Sequence, residues 1–306
     1  MRIDSFDPVS RQGLAITNLY GIELVISAVL FILVAGVLAT ALVRFRAAPD
    51  DGREPPQISG HTGLEVVWTV TPALILAVVF LLVVQTMRTV DAAQPGELRL
   101  RVIGHQWWWE FEYPDQAVVA ANELHVPVGV PLRVDLDSAD VIHSFWVPQF
   151  GWMRDAVPGK TNQIGVLVDR AGEYVGACTQ YCGAQHAWMR LRVVAEPPAQ
   201  FDAWAQQQSQ AAAASSLPGE RVFLQNTCVS CHAIRGVQAP AQVGPDLTHV
   251  GSRTTLGAGV IENTPENLRR WLRDAPLVKP GVLMPSFHSL SDQELTDLIE
   301  YLESLR

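Results

Sequence analysis

Hydrophobic positions follow three rhythms along the chain, and each rhythm predicts a different kind of element. From Leu24 to Val43 the run LVISAVLFILVAGVLATALV holds no charge, and from Val66 to Met87 the run VVWTVTPALILAVVFLLVVQTM is again uncharged. A helix needs ~20 apolar residues to cross the hydrocarbon core of a bilayer. Both runs meet that length and predict a membrane hairpin with spans at about 19–43 and 65–87. Buried core helices are the alternative, but such helices seldom run this long without a charge. Pro72 is tolerated near the start of the second run, where freed backbone groups find other partners.

After Met87 the period changes to two. PLRVDLD (131–137) sets Leu132, Val134 and Leu136 against Arg133, Asp135 and Asp137, and LRLRVIG (98–104) and MRLRVV (189–194) repeat the alternation. Such segments, broken by Gly, Pro and Asp, predict a half-buried antiparallel sandwich or barrel over 95–197. The next stretch, PPAQFDAWAQQQSQAAAASSLPG, is rich in Ala, Gln and Ser. It predicts a short helix running into a flexible tether, a linker over 198–217.

Beyond it the period becomes helical. Thr264 is a natural N-cap with Pro265 at the first helical position, and Ser291 with Glu294 forms a capping box ahead of Leu295, Leu298, Ile299 and Leu302. The expected fold is a multidomain membrane protein. Residues 1–94 form an N-terminal segment and transmembrane hairpin, 95–197 an all-β domain, and 218–306 a small all-α domain.

Charge adds orientation. The loop between the spans carries Arg44, Arg46 and Arg53, which favours a cytoplasmic loop, although Arg2, Arg11 and Arg88 lie on the other side. The N-terminus and everything after Met87 then share the outer side. MRIDSFDPVSRQ shows no cleavable signal pattern, so the first span is expected to act as its own export signal. A formal net charge of −9 argues against nucleic acid as a partner.

The four cysteines come as two close pairs. Cys228 and Cys231 lie in CVSCH with His232 following, the spacing of a c-type haem attachment site. The thiols add to the haem vinyl groups and the imidazole binds iron. A redox C-x-x-C pair would want a βαβ context, and a zinc site would want a second ligand pair downstream. Met284, in VLMPSF, is the expected distal ligand, ahead of His288 and His249.

The other pair sits in CTQYCGAQHAWM (178–189). A disulfide would account for Cys178 and Cys182 but would leave His186 and Met189 without a role. Thiolates and a thioether are soft donors, imidazole is borderline, and together they select copper. His143, in VIHSFWVPQF, supplies a second imidazole. Met189 shares a strand face with Leu191 and Val193, which aims its thioether inward. A single-copper site needs only one cysteine, whereas two cysteines four apart can bridge two copper ions, each capped by one histidine.

With these motifs in view, the chain resembles cytochrome c oxidase subunit II in the form that carries a fused class I cytochrome c. The resemblance spans nearly the whole sequence. It rests on HSFWVP around His143, C-x-x-x-C-x-x-x-H-x-x-M from Cys178 to Met189, GHQWWWEF from Gly104, CVSCH, the GPDL of 244–247 and the MP at Met284.

It implies a cupredoxin-like barrel holding the dinuclear copper centre CuA. Cys178 and Cys182 would bridge the metals, His143 and His186 would be terminal ligands, and Met189 and the backbone carbonyl of Gln180 would be axial. Most relatives have Glu at the position of Gln180, where the carboxylate also helps hold magnesium against subunit I. An amide is a poorer ligand for a hard cation, so magnesium at that interface stays an open expectation. Trp107 matches the tryptophan through which electrons reach CuA, and Glu65 matches a glutamate at the entrance of a proton channel.

The implied function is to pass electrons from a cytochrome c-type donor, through covalent haem c and CuA, to the oxygen-reducing, proton-pumping subunit I. The implied setting is a bacterial cytoplasmic membrane, with lipid and further oxidase subunits as neighbours and both redox domains on the periplasmic side. A CuA-type nitric oxide reductase subunit, and a membrane-anchored electron shuttle or copper-delivery protein, are the alternatives.

Overall fold

The two uncharged runs form the helices Arg11–Arg44 (α1) and Thr62–Val90 (α2) in the computed structural model, which describes residues 6–46, 57, 60–90, 98–151, 153–237 and 243–306. Both outrun the expected spans, because helical hydrogen bonds do not stop where apolarity does. Ser10 caps α1, its hydroxyl accepting from Gly13 N at 2.9 Å. Pro72 lies inside α2.

The most apolar window of each helix is 0% buried, and Phe31, Ile32, Val37, Leu76 and Phe80 project freely. An apolar surface of that extent is not stable in water, and an α-helix satisfies its own backbone in lipid. The two helices anchor the chain in a membrane. Arg2, Arg53 and the expected boundary at 94–95 lie outside the described residues.

Residues 15–91 form one compact unit, and residues 1–14 with 92–306 form the other. In the second unit, ten strands run from β1 to β10. They are β1 (Leu98–His105), β2 (Trp108–Tyr113), β3 (Val118–Ala121), β4 (Glu123–Pro127), β5 (Pro131–Ser138), β6 (His143–Trp146), β7 (Met153–Ala156), β8 (Asn162–Leu167), β9 (Gly172–Cys178) and β10 (Arg190–Glu196). They make two five-stranded sheets, β3-β2-β1-β5-β8 and β4-β10-β9-β6-β7, curled into a cupredoxin-like half-barrel. Trp109, Phe111, Tyr113, Phe145 and Leu191 fill its core.

The expectation of a purely antiparallel domain needs correction. β1 pairs with β5 in parallel, and β4 with β10 likewise. Alternation along a strand is the same in either ladder, so the sequence pattern carries no information about strand direction.

After β10, helix α3 (Pro198–Gln208) buries Phe201 and stacks Trp204 on His125 at 4.2 Å. The residues expected as a flexible tether are held at their start. Arg235 donates to Gln208 O and Ser209 O at 2.5 and 3.3 Å, His249 Nε2 bonds Gln210 O at 3.0 Å, and Ala212 N donates to Arg235 O at 2.9 Å. Composition reads a Gln/Ala/Ser stretch as partnerless, but partners distant in sequence satisfy this backbone.

The rest is small and mostly helical: α4 (Pro218–Gln225), the hairpin β11 (Thr255–Leu256) and β12 (Ile261–Glu262), then α5 (Pro265–Arg273), α6 (Ala275–Val278) and α7 (Asp292–Ser304). Thr264 caps α5, and both bonds of the Ser291–Glu294 capping box are formed. Leu295, Leu298, Ile299 and Leu302 pack with Phe223 and Tyr301 in the core of this domain. Its hairpin was invisible to periodicity, since two-residue strands are too short to alternate.

Candidate metal centre and cytochrome cavity

Strand pairing brings distant donors together. β6 opens at His143, β9 closes at Cys178, and Phe145 pairs with Cys178 across the two strands. Cys178 N donates to Met189 O at 3.0 Å and Thr179 N to Ser144 O at 3.1 Å, so both ends of the loop 179–188 are pinned to the sheet.

Within this frame, Cys178 Sγ lies 3.8 Å from Cys182 Sγ, 3.9 Å from His143 Nδ1 and 3.2 Å from Gln180 O. Cys182 Sγ lies 3.6 Å from His186 Nδ1 and 3.9 Å from Met189 Sδ. A disulfide needs sulfurs ~2.05 Å apart, so the thiols are free. His143 and Met189 are wholly buried. Among the described residues, His143, Cys178 and Cys182 form a buried donor group that could hold a metal ion, consistent with a copper centre. The set fits copper, being two soft sulfurs with imidazoles and a thioether at the edge.

The two thiols shift each other in opposite directions. Hydrogen bonding from Cys182 holds Cys178 well below the ordinary thiol range, while the same contact, with burial, pushes Cys182 up. The pairing favours the thiolate at Cys178, and thiolate is the ligating form.

His143 is aimed by a residue that sequence reasoning missed. Its Nε2 meets Asp140 Oδ1 at 2.8 Å, leaving Nδ1 turned to the sulfur. Burial alone would raise Asp140, but hydrogen bonds from His143, Val141 N and Gln106 N outweigh it and hold the carboxyl below its usual range. The D-x-x-H spacing of ADVIHSF was the available signal. Carboxylate–imidazole partners of this kind fix ring orientation in metal sites.

Gly104 is the other support. A Cβ there would stand 2.6 Å from His143 Cδ2. Gly104→Ala is therefore expected to displace the ring, destabilise the domain by about 1–3 kcal/mol through overpacking, and lower copper retention. Metal analysis and thermal unfolding of the variant check this, and wild-type values in both would refute it.

Trp107 occupies the turn between β1 and β2. Its Nε1 donates to Cys182 O at 3.0 Å, beside Gln106 Nε2 at 2.8 Å to the same oxygen. Trp108 and Trp109 are buried, and Trp109 meets His143 edge-on at 5.9 Å. The Gln180 side chain is exposed. Glu65 lies exposed in the first turn of α2, in the unit formed by residues 15–91.

Cys228, Cys231, His232 and Met284 line one cavity of about 360 Å³, walled by Phe223, Leu268, Leu272 and Leu298. Neither His249 nor His288 is among the described residues that line it. His232 Nδ1 donates to Pro245 O at 2.8 Å, and burial pushes its pKa down, which favours the neutral ring that can ligate through Nε2. Gly244 lets the chain pass close, since a Cβ there would stand 2.6 Å from His232 Cε1. An apolar chamber with two thiols and one oriented imidazole fits a covalent haem. The lining also includes Gln106, Trp107, Trp108, Asn122 and Gln185 from the barrel, which the motif alone gave no reason to expect.

Three family profiles match this chain. The cytochrome c oxidase subunit II transmembrane domain matches residues 6–85, its periplasmic domain residues 116–196, and cytochrome c residues 216–306. Among curated relatives, cytochrome c oxidase subunit 2 of Alkalihalophilus pseudofirmus is 33% identical over 314 aligned positions, covering 99% of this chain and 91% of the relative. That of Bacillus subtilis is 32% identical over 289, covering 87% and 81%. A crystal structure of the periplasmic domain of subunit II of cytochrome oxidase from Bradyrhizobium japonicum is similar at 30% identity and a TM-score of 0.37, covering 38% of this chain and 95% of that one.

Proposed function

The chain belongs to the cytochrome c oxidase subunit II family, and from that membership we propose that it carries a dinuclear copper centre and a covalent haem c in one rigidly assembled electron relay. It is an electron-transfer subunit of a haem–copper oxidase-type complex. One-electron transfer is the chemistry that the copper pair and the haem supply when bound.

The observation that carries the dinuclear reading is the division of donors between the thiols. Cys178 has its own imidazole, His143, and its own weak donor, Gln180 O; Cys182 has His186 and Met189. A mononuclear site would bring both imidazoles and a single thiolate to one metal. In this reading Cys178 and Cys182 would be the sulfur ligands shared by the copper pair, His143 and His186 would supply its imidazoles, and Met189 and the Gln180 carbonyl would be its weak donors. Asp140 keeps the His143 ring in its ligating orientation, and the barrel core keeps water from the sulfurs.

In the C-terminal domain, Cys228 and Cys231 would anchor the haem, His232 would ligate through Nε2, and Met284 would ligate opposite. Trp107 is assigned to electron arrival because its indole is bonded to the backbone of a bridging ligand. Glu65, at the mouth of α2, is assigned to the entrance of a proton channel in subunit I. The amide of Gln180 brings no charge to a hard cation, and magnesium is left out of the reading.

The division into 1–94, 95–197, 198–217 and 218–306 is part of the same proposal. So are the setting in a bacterial cytoplasmic membrane with the redox domains on its periplasmic side, the c-type donor, and subunit I as holder of the dioxygen site. Metal analysis of the purified complex is the test: it should give two coppers and one covalent haem per chain. One copper, with X-ray absorption showing a single sulfur ligand, would remove the bridging roles.

A further inference from the structure

The contact between the barrel and the C-terminal domain is a built surface. Glu123, the first residue of β4, is only 6% exposed. Its Oε1 accepts from Thr254 N at 2.8 Å, Thr255 N at 2.9 Å and the two threonine hydroxyls at 2.7 and 3.1 Å, while Oε2 accepts from Thr254 N at 3.1 Å. Burying a carboxylate is costly unless donors replace water. Here the donors all come from Thr254 and Thr255, where the chain of the other domain enters the hairpin β11–β12.

The tip of that hairpin adds an apolar contact. Ala258, 2% exposed, packs with Trp108 and Ala121 of the barrel. It stands at φ +63° between Gly257 and Gly259, which also have positive φ. An alanine is uncommon in that backbone region, where glycine is free. Its methyl is what the contact with Trp108 uses.

Three more bonds flank the cavity. Lys279, 2% exposed, donates through Nζ to Trp107 O at 3.2 Å. Gln185, fully buried, donates to Lys279 O and Pro280 O at 3.1 and 2.9 Å. These contacts surround the side of the cavity lined by Trp107 and Trp108.

We propose that the β11–β12 hairpin is a docking key, with Glu123 as its receptor, that fixes the C-terminal domain with its cavity facing Trp107, so that electrons leave this domain from a permanently docked position. The proposal rests on the haem-and-copper reading and names the positioning residue it leaves out. A domain tethered only by its linker would meet the barrel at an effective concentration set by linker length. A docked domain needs no such encounter. Docking also leaves a way in for a donor, because Val243 and Leu283 line the same cavity and are 68% and 72% exposed. Glu123 acts through placement and touches neither candidate metal site.

The test uses the full chain in its oxidase complex, with Glu123→Ala, Glu123→Gln and Ala258→Asp. The last variant approaches the contact from the other side and tolerates the left-handed backbone. Amide hydrogen exchange at Thr254 and Thr255 reports docking independently of turnover. It should be slow in the parent and at least tenfold faster in Glu123→Ala and Ala258→Asp.

Light-triggered reduction of the haem should then show transfer to copper slowed at least tenfold and newly sensitive to viscosity in both variants. In Glu123→Ala the copper and haem spectra and potentials should be unchanged, and Glu123→Gln should recover part of the rate. Transfer within twofold of the parent, despite fast exchange at Thr254 and Thr255, would overturn the docking key. Exchange as slow as the parent's in both variants would overturn it too. A parent complex lacking copper or covalent haem would instead overturn the function on which it rests, a result read from metal analysis alone.

Discussion

Cys178→Ser is expected to strip copper from the complex and to lower turnover with a c-type donor by on the order of 100-fold or more. Loss of an outer-shell partner alone typically costs about 10–100-fold in metal affinity or activity, and Cys178 sits closer to the chemistry. It holds Cys182 at 3.8 Å, faces His143 at 3.9 Å and is bonded at Sγ to Gln180 O at 3.2 Å. A serine hydroxyl is a hard, weakly acidic donor that cannot replace a soft thiolate.

The fold should survive, because the strand pairing of Phe145 with Cys178 and the bond from Cys178 N to Met189 O are backbone features. Circular dichroism and haem content should therefore match the parent while bound copper falls. Retention of both coppers and of full turnover would show that the sulfur pair is not the bridge.

Much of this site was legible in the sequence because its donors are chemically rare and closely spaced. Cys178, Cys182, His186 and Met189 lie within one loop, and His143 was drawn in by the need for a second imidazole. The structure gathers all five, together with Gln180 O. What stayed hidden were the residues with ordinary chemistry and distant partners. Asp140, Glu123 and Lys279 belong to none of the motifs singled out in the sequence, yet each is defined by a contact across the fold or a turn. Period two found β1, β5 and β10 but not the parallel ladders, since direction leaves no mark on alternation. The helical C-terminal domain was legible from caps and spacing, but its two-residue strands were not.

The second large effect is expected at Met284. Met284→Leu keeps nearly the same volume, and such swaps usually cost less than ~1.5 kcal/mol, so the domain core that Met284 packs against should persist. The thioether is lost. The low-spin spectrum of a methionine-ligated haem should disappear, and the haem potential should fall by on the order of 100 mV within the ~0.8 V range that axial ligation controls. At ~59 mV per tenfold for one electron, such a fall makes reduction by a c-type donor less favourable by more than an order of magnitude.

The two histidines that could take over start from poor positions. His249 is bonded through Nε2 to Gln210 O at 3.0 Å, and His288 is 64% exposed at its side chain, 3.6 Å from Asp274. Neither is among the described residues lining the cavity. Copper content should be untouched, because Met284 lies in a different domain from every copper donor. An unaltered haem spectrum and potential in Met284→Leu would move the distal ligand elsewhere, and would require the Gln210–His249 bond to open or His288 to fold inward.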